Sequence, residues 1–412
     1  MKRLGPILER FLWWILFVTV LAIHLVWELL DESVPMWDMA YHQLKGWEYL
    51  VAWCDDKLLE QFSSLSTYYP PLYYLQEAMV LQFLPQTQFL ALLANSLGLF
   101  LLSYFTYRSA ALFMRTRTAA IAGCLPLLFP LIAWTTRMTL LDVSLAGWVA
   151  AAGFFILRSE NLQRKGWVFI FGIAAAAGTL TKWTFVLFLF VPVLYSLVNS
   201  PNRKKSIVNL FDAGILAIPF VFWWYLPNLS QLMADFKITV AAGYLEGDPG
   251  IGSLLGWLYY PRCLFSYYLQ LPLAVFLVWG LVRARKDLRR SPMDFLIWWL
   301  VGSLLILTLL KAKDPRYVMP LAGPLAVLLV MLWQEHFRVV VAVLTVAFLQ
   351  FVTVSFPTPL SPVKVALFDF ENDIDYRSLR QEWIFYQTHY FDVAGPPKKN
   401  DWRHDDLLDV ME

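Results

Sequence analysis

Long apolar segments recur from near the N-terminus to Phe356, with short charged breaks between them. Each segment has about the length that crosses the hydrocarbon core of a bilayer. The 59% content of hydrophobic residues excludes an ordinary soluble protein. Because helices satisfy their own backbone in lipid, the pattern predicts an all-α polytopic membrane protein with about eleven transmembrane helices. These lie near residues 11–30, 87–107, 119–134, 140–157, 166–180, 183–198, 207–227, 265–282, 293–310, 317–333 and 339–356.

Basic residues are concentrated in alternate breaks between these segments, as expected for loops on the cytoplasmic side. Under one alternating topology, 18 of the 33 basic residues fall on the side of the N-terminus. They are Lys2, Arg3, Arg10, Arg108, Arg115, Arg117, Arg158, Arg164, Lys165, Arg203, Lys204, Lys205, Arg283, Arg285, Lys286, Arg289, Arg290 and Arg338. This topology predicts that the break after the first segment is external.

That first external loop, residues 31–86, is longer than a simple connection requires, and long loops are more often functional. It contains an apolar stretch that begins at Pro70 and Pro71 and runs to Phe83. Counting this stretch as a twelfth span would move the next basic cluster to the outside. We therefore expect a helix that lies in the outer interface, started by the two prolines and anchored by tyrosines.

Composition divides the chain into two parts. Residues 1–356 form the predicted transmembrane domain, and residues 357–412 form an acidic, predicted external and soluble tail with 11 acidic and 6 basic side chains. The tail is too rich in aromatic residues for a disordered segment. It is therefore expected to pack on the outer loops. Residues 401–412 resemble the start of a helix with no stop signal, as expected if the tail were the start of a periplasmic domain of a longer protein.

Asp38 is the first candidate for chemistry, because it closely follows the first span and is expected to lie about one helical turn beyond the membrane surface. Trp37 and Tyr41 flank it, and such aromatic residues favour the membrane interface. The alternative is an acidic residue that only keeps the loop solvated.

Several cations lie at the predicted outer ends of spans, on the side where few are expected: Arg137, Lys182, Arg262, Lys311, Lys313 and Arg316. Each one alone could be an interfacial anchor. Together they could hold a phosphate whose hydrocarbon tail stays in the bilayer.

Two further residues have competing interpretations. Asp142 begins a predicted span at its outer end, where it could act in a site or simply cap the helix and complement its dipole. His42 could bind a metal or a substrate, but no partner lies at ligand spacing. We predict no metal and no cofactor.

Short motifs then resemble a known family, the polyprenyl-phosphate-sugar-dependent glycosyltransferases with the C-type membrane fold, which include protein O-mannosyltransferases and the lipid A aminoarabinose transferase. Asp38-Met39-Ala40-Tyr41-His42 resembles the acidic first-loop motif, and Asp38 matches its catalytic Asp. The other matches are Tyr69-Pro70-Pro71-Leu72-Tyr73-Tyr74, Leu141-Asp142, Leu180-Thr181-Lys182 and the late motif from Lys311 to Pro320. The likeness covers roughly residues 10–335 in matching order.

The sequence departs from the family motifs at three places, of which Met39 and the residue before Pro70 concern metal binding. Met39 stands where the family often has Glu, Val143 stands where it usually has Pro, and no acid precedes Pro70. A metal site of the kind found in some relatives is therefore not expected here.

The resemblance implies an inverting transfer of a sugar from a polyprenyl phosphate to a hydroxyl group of a lipid, glycan or protein acceptor. Asp38 would be the base and Asp142 the second catalytic carboxylate, while Lys182, Arg316, Lys313 and Tyr317 would bind the donor phosphate. Further candidates for substrate binding are Tyr41, His42, Arg137 and Arg262. One base suffices because a phosphate leaves without a general acid, unlike the alcohol in glycosidases.

We expect this enzyme in a bacterial inner membrane with its site facing the periplasm, in contact with the bilayer and the lipid-linked donor but with no nucleic acid. The alternative function is a polytopic transporter or lipid flippase, since charged residues in a bundle can mark a translocation path. Two features disfavour it. The sequence contains no internal repeat, and its charged residues gather at the predicted outer helix ends.

Overall fold

The computed structural model describes residues 5–33, 35, 38–84, 89–245, 247–356 and 397. Its helices are α1 Gly5–Leu30, α2 Asp38–Cys54, α3 Leu58–Gln61, α4 Leu72–Phe83, α5 Leu90–Ala110, α6 Thr116–Cys124, α7 Pro130–Thr136, α8 Asp142–Arg158, α9 Lys165–Thr181, α10 Phe185–Val198, α11 Arg203–Leu245, α12 Leu254–Cys263, α13 Gln270–Arg283, α14 Met293–Thr308, α15 Ala322–Met331 and α16 Phe337–Ser355. Two 3₁₀ segments, Leu125–Leu128 and Pro315–Leu321, and a π-helical segment, Leu264–Leu269, join consecutive helices.

The predicted all-α polytopic architecture is confirmed for this part of the chain, in which no strand occurs. Each predicted span falls on one helix or on two or three helical segments in succession. Within the described ranges, five helical stretches are long and apolar enough to cross a membrane alone, and a sixth arises if α6 and α7, bent by 65°, count as one span. The remaining apolar helices are shorter, so the number eleven remains a prediction.

The centre of the bundle is a close contact between α5 and α8 that requires glycine. A Cβ atom on Gly98 would lie 2.7 Å from the Cα atom of Ser144, and one on Gly147 would lie 2.6 Å from the carbonyl oxygen of Gly98. Small residues allow membrane helices to approach in this way. The Asn95 side chain then donates to the carbonyl of Met138 at 2.7 Å, which fixes the turn that leads into α8.

The first outer loop is largely helical. The structure confirms a separate helix after Pro70 and Pro71, namely α4, whose 12 residues are too few to cross a bilayer. It packs against α2, which the sequence reading did not identify as a helix. Apart from Pro397, the predicted external tail, residues 357–412, lies outside the described residues.

Helix α11 is unusually long, with 43 residues. At 1.5 Å per residue it extends about 64 Å, roughly twice the thickness of a bilayer core. Its second half crosses the first outer loop, where Trp224 donates to the carbonyl of Ser66 at 2.9 Å and Asn228 donates to that of Ser63 at 2.7 Å. A further bond joins the hydroxyls of Thr239 and Tyr68 at 2.9 Å.

Candidate functional site

A polar cavity of about 610 Å³ opens where α2, α11 and three other segments meet. Its walls come from the start of α2, from residues 67–69, from the second half of α11, from Asp248 in the loop after it and from residues 312–317. Segments that are far apart in sequence therefore converge on one space. Of the residues predicted to form the site, five line it: Asp38, Tyr41, Lys313, Arg316 and Tyr317.

Asp38 and Arg316 face each other in this cavity. Asp38 is the first residue of α2, and its side chain is 61% exposed with a carboxylate oxygen 3.6 Å from Nη2 of Arg316. The Arg316 guanidinium is oriented by Asp314, whose Oδ2 accepts from Nε at 3.0 Å and from Nη2 at 2.8 Å. The other oxygen of Asp314 accepts from the backbone N–H of Arg316 at 2.7 Å. Asp314 thus holds the cation beside the candidate base.

Asp142 and Lys182 do not line the cavity. They form a buried ion pair in which Nζ of Lys182 lies 2.8 Å from Oδ1 of Asp142, with the side chains 7% and 3% exposed. Burial lowers the pKa of Lys182, but the Asp142 carboxylate more than offsets this, so the pKa is raised and the amine stays charged. Asp142 is the first residue of α8, where a negative charge also complements the helix dipole, so a role at the helix start and the ion pair with Lys182 coexist.

The Asp142–Lys182 pair lies directly behind the cavity wall. Nζ of Lys182 is 5.7 Å from the ring centroid of Tyr69 and 5.5 Å from that of Tyr317. Both tyrosines line the cavity. Lys182 of the pair therefore contacts two tyrosine rings, those of Tyr69 and Tyr317, that form part of the cavity wall.

Lys313 lines the cavity, but its charged group already has partners in the protein. Its ammonium group donates to the carbonyls of Thr308 at 2.9 Å and Leu310 at 3.0 Å, at the end of α14, which is a favourable place for a cation. Its backbone N–H donates to Asp248 at 2.7 Å. The side chain expected to bind phosphate is thus directed at carbonyl groups.

The other predicted residues lie elsewhere. His42 is buried, its Nδ1 is 2.9 Å from the Tyr74 hydroxyl, and burial lowers its pKa to about 3. Arg137 is buried over the ring of Trp27 at 4.6 Å and donates to the Ser355 hydroxyl. Neither Arg137 nor Arg262 lines the cavity. Across the described ranges, no group of three or more His, Cys, Asp or Glu residues could hold a metal ion.

Helix α11 supplies cavity residues that the sequence reading missed. Gln231, Asp235, Thr239 and Gly243 recur at every fourth position and all line the cavity. Residues four apart lie on one face of a helix. The fourfold spacing is present in the sequence, but the decrease in hydrophobicity predicts that the span ends near residue 227.

A second, mainly apolar cavity of about 330 Å³ adjoins the polar one. Trp183, Phe236, Val240, Leu309 and Leu310 are among its walls. Three residues line both cavities: Thr239, Ala312 and Tyr317. A polar space and an apolar space are thus in contact at Tyr317.

No protein-family model matches the chain. Over 236 residues it is 27% identical to the undecaprenyl phosphate-alpha-4-amino-4-deoxy-L-arabinose arabinosyl transferase of Yersinia pestis, a match that covers 54% of this chain and 42% of the relative. A second such transferase, from Proteus mirabilis, is 24% identical over 266 residues, which cover 59% of the chain and 45% of the relative. The chain thus matches less than half the length of these relatives.

Solved structures of ArnT from Cupriavidus metallidurans superpose on this protein. The apo structure matches with a TM-score of 0.58 at 19% identity, covering 78% of this chain and 59% of ArnT. The structure bound to undecaprenyl phosphate matches with a TM-score of 0.56 at 18% identity, covering 83% and 63%. The chain has the ArnT fold. The resemblance that the short motifs predicted is thereby confirmed, because relatives in sequence and neighbours in structure are both lipid-linked sugar transferases of that kind.

Proposed function

We propose that this chain is an inverting glycosyltransferase that moves a sugar from undecaprenyl phosphate to a hydroxyl acceptor. The observation that carries the proposal is the contact between the polar cavity, with Asp38 and Arg316, and the apolar cavity beside it. A lipid-linked sugar has the same two parts, a polar head and a hydrocarbon tail. The names of the relatives and the lipid-bound ArnT structure support this choice of donor.

In this proposal the donor phosphate lies at Arg316, near the junction of the two cavities. The guanidinium can form paired hydrogen bonds with phosphate oxygens. In the resting structure it contacts Asp314 and, at 3.6 Å, Asp38. A bound phosphate would compete with Asp38 for the cation and leave the Asp38 carboxylate available to the acceptor.

Asp38 would then act as the general base. As the acceptor oxygen attacks the anomeric carbon, its proton passes to the Asp38 carboxylate. The bond between the anomeric carbon and the phosphate oxygen breaks, and undecaprenyl phosphate leaves with its negative charge stabilised by Arg316. Attack opposite the leaving phosphate inverts the configuration, and no general acid is required because phosphate is a good leaving group.

Asp142 and Lys182 have a supporting role in this mechanism. Their charges satisfy each other in a buried site, and Lys182 contacts the two tyrosine rings that form the cavity wall. We propose that the pair positions Tyr69 and Tyr317 and that its electric field acts on the phosphate through that wall. Direct contact with the acceptor is assigned to Asp38 alone.

We further propose eleven membrane spans, an inner-membrane location in a bacterium and a site that opens to the periplasm, with residues 357–412 on the same side. The basic residues support this orientation by their distribution. The acceptor would be a lipid, glycan or protein hydroxyl that reaches the cavity from the periplasmic side.

The test is transfer by the purified protein in detergent micelles, where no second compartment exists. Undecaprenyl phosphate carrying a radiolabelled sugar is supplied with a membrane extract as the source of acceptor. We expect label to appear in the acceptor fraction while undecaprenyl phosphate is released. Movement of the labelled donor across sealed vesicles without any transfer would instead identify a transporter or flippase.

A further inference from the structure

The turn that follows α11 connects the end of that helix to the segment that carries Arg316. Asp248 lies in this turn, and its Oδ2 accepts a hydrogen bond from the backbone N–H of Lys313 at 2.7 Å. Lys313 precedes Arg316 by three residues. Asp248 and Lys313 both line the polar cavity. The mechanism above gives Asp248 no role, although it is bonded to the segment on which that mechanism depends.

A close backbone contact accompanies this hydrogen bond. Gly243 lies in the last turn of α11, and a Cβ atom there would lie 2.9 Å from the Cα atom of Ala312 and 3.0 Å from Oδ2 of Asp248. The backbone N–H of Asp248 also donates to the carbonyl of Gly243 at 2.9 Å. Four residues therefore form one contact, the clasp: Gly243, Asp248, Ala312 and Lys313.

The turn that presents Asp248 is held by its own hydrogen bonds. The Ser253 hydroxyl donates to the carbonyl of Gly250 at 2.9 Å and accepts the backbone N–H of Gly256 at 3.1 Å, which caps the start of α12. The backbone N–H of Ser253 also donates to the carbonyl of Gly250, at 3.1 Å. Because the turn is bonded at its α11 end and at its α12 end, the Asp248 carboxylate has a defined position.

The segment that the clasp holds has further anchors. The Lys313 ammonium donates to carbonyls at the end of α14, and the buried Tyr268 hydroxyl donates to the carbonyl of Pro315 at 3.0 Å. Asp314 accepts from the backbone and from the guanidinium of Arg316. The clasp adds the connection to α11, so Arg316 is tied to a helix that lines both cavities.

The orientation of Arg316 matters because a guanidinium binds phosphate through paired hydrogen bonds of fixed geometry. A misplacement of about 1 Å in a site can cost about 10²-fold in rate. A binding group that is fixed before the ligand arrives also loses less freedom on binding, which increases affinity. An anchor of the Arg316 segment should therefore affect the bound phosphate, whereas the hydrocarbon tail of the same lipid should bind as before.

We propose that Asp248 is a positioning residue of the site, which holds Arg316 in the orientation that binds the donor phosphate. This inference rests on the proposed function, because it assumes a lipid phosphate at Arg316. Asp248 acts through its hydrogen bond to Lys313, since its negative charge on the cavity wall would by itself repel the phosphate. Gly243 has the same role on the α11 side, because its lack of a side chain allows the two backbones to approach.

The test measures the binding of two lipids to the purified full chain: undecaprenyl phosphate, and undecaprenol, which has the same tail and no phosphate. The ratio of the two dissociation constants reports the contribution of the phosphate alone. Asp248→Ala removes the hydrogen-bond acceptor, and Gly243→Ala places a methyl group against the backbone of Ala312. We expect each variant to bind undecaprenyl phosphate about tenfold more weakly, the lower end for a lost hydrogen bond to a charged group, with the affinity for undecaprenol unchanged.

Asp248→Asn is the rescue variant. Its amide oxygen can still accept the N–H of Lys313, so this variant should bind undecaprenyl phosphate at least as tightly as the wild type. Two matched controls lie on α11 outside the cavity. Asp212→Ala changes an acid that pairs with Lys165, and Gly214→Ala adds a methyl group where the described residues leave open space. Both should keep the wild-type affinity for each lipid.

Three results would overturn the inference and leave the proposed function standing. The first is wild-type affinity for undecaprenyl phosphate in Asp248→Ala or, if that variant does not fold, in Gly243→Ala. The second is an equal loss of affinity for both lipids in these variants. The third is a loss in Asp248→Asn as large as that in Asp248→Ala, which would assign the effect to charge. A wild-type protein that binds undecaprenyl phosphate no more tightly than undecaprenol would overturn the proposed function, and the inference with it.

Discussion

Arg316 contacts two carboxylates in the resting site, and the two contacts differ in kind. Asp314 is held by three hydrogen bonds to Arg316, whereas Asp38 is 61% exposed and 3.6 Å away. A carboxylate in that exposed position can exchange the cation for an acceptor hydroxyl at little cost, since exposed ion pairs contribute little to stability. Asp314 is therefore a permanent partner of Arg316, and Asp38 is the group free to react.

The first prediction concerns Asp38→Asn. The amide keeps the shape of the side chain but cannot take a proton, so we expect kcat to fall by about 10²- to 10⁴-fold. Binding of undecaprenyl phosphate should change little, because Arg316 remains. Transfer rate and lipid affinity are measured on the same preparation.

Asp55→Asn is the control for this experiment. Asp55 follows the end of the same helix, is exposed beside Lys57 and does not line the cavity, so its variant should retain wild-type turnover. If Asp38→Asn kept the wild-type rate, the assignment of the base would be wrong. A parallel loss of lipid binding would show that Asp38 organises the site.

The second prediction concerns the buried Asp142–Lys182 pair. Asp142→Asn leaves a buried ammonium group without its counter-charge, and breaking such a pair typically costs about 3 to 5 kcal/mol. We expect a large fall in thermal stability in detergent. The double variant Asp142→Leu with Lys182→Met should recover much of that stability, because well-packed apolar residues can replace a buried pair.

The rate of sugar transfer by these variants distinguishes a purely structural role of the Asp142–Lys182 pair from a role in the reaction. If Asp142→Asn kept wild-type stability but lost transfer, Asp142 would take part in the reaction directly. If the double variant folded and bound undecaprenyl phosphate but transferred sugar slowly, the pair would act by positioning Tyr69 and Tyr317.

At the scale of elements, α2 and α4 pack around an acid that is not paired. Glu77 on α4 is fully buried, and neither carboxyl oxygen has a hydrogen-bond partner among the described residues. It lies against Gly46 of α2, where an added Cβ atom would come within 2.8 Å of the Glu77 side chain. Burial raises the pKa of Glu77 well above its usual value, so the neutral acid is favoured in the folded protein.

The third prediction follows from that shift. Above the pKa of the unfolded chain the native state holds a proton that the unfolded state releases, so the free energy of unfolding falls as pH rises. The slope is at most about 1.4 kcal/mol per pH unit. Glu77→Gln should remove this dependence. The melting temperature of the variant minus that of the wild type should therefore increase between pH 6.5 and pH 8.

That pH window separates Glu77 from His42, since burial lowers the pKa of His42 to about 3. A base with a lowered folded pKa costs stability only below its unfolded pKa, near 6.5. Glu48→Gln, which changes an accessible acid on α2 paired with Lys45, is the control and should show no growing advantage. A constant difference between Glu77→Gln and the wild type across the window would contradict the assignment.

The full length of helix α11 could not be predicted from the sequence. Hydrophobicity marks the part that resembles a span, and it decreases after residue 227. The helix continues because the next residues, such as Leu232, Met233 and Ala234, are good helix formers and because Trp224 and Asn228 bond to the outer loop. The fourfold spacing of polar residues was readable, but the surface that it faces depends on tertiary packing.

At the scale of the whole molecule, the sequence predicted the helical class, the separate helix after Pro70 and Pro71, and Asp38 and Arg316 as residues of one site. These features depend on local composition and short motifs. The sequence could not predict that Lys182 turns to Asp142 or that the Lys313 ammonium caps α14. Those outcomes depend on which neighbours bury each cation, and burial is decided by the packing of segments far apart in the chain.

The last prediction tests the proposed orientation with cysteines already in the protein. Cys54, at the end of α2, is exposed, whereas Cys124 and Cys263 are buried. In spheroplasts of a bacterial host, a membrane-impermeant maleimide should therefore label the wild-type protein at Cys54, and Cys54→Ser should abolish the label.

Lys204→Cys, introduced into the Cys54→Ser background, places an exposed thiol at the start of α11. It should react only after the membrane is broken, because that basic end is predicted to be cytoplasmic. Labelling of Lys204→Cys in intact spheroplasts, with Cys54 protected in the wild type, would reverse the orientation. Asp38 and Arg316 would then act at the cytoplasmic face, and the proposed periplasmic acceptor would be excluded.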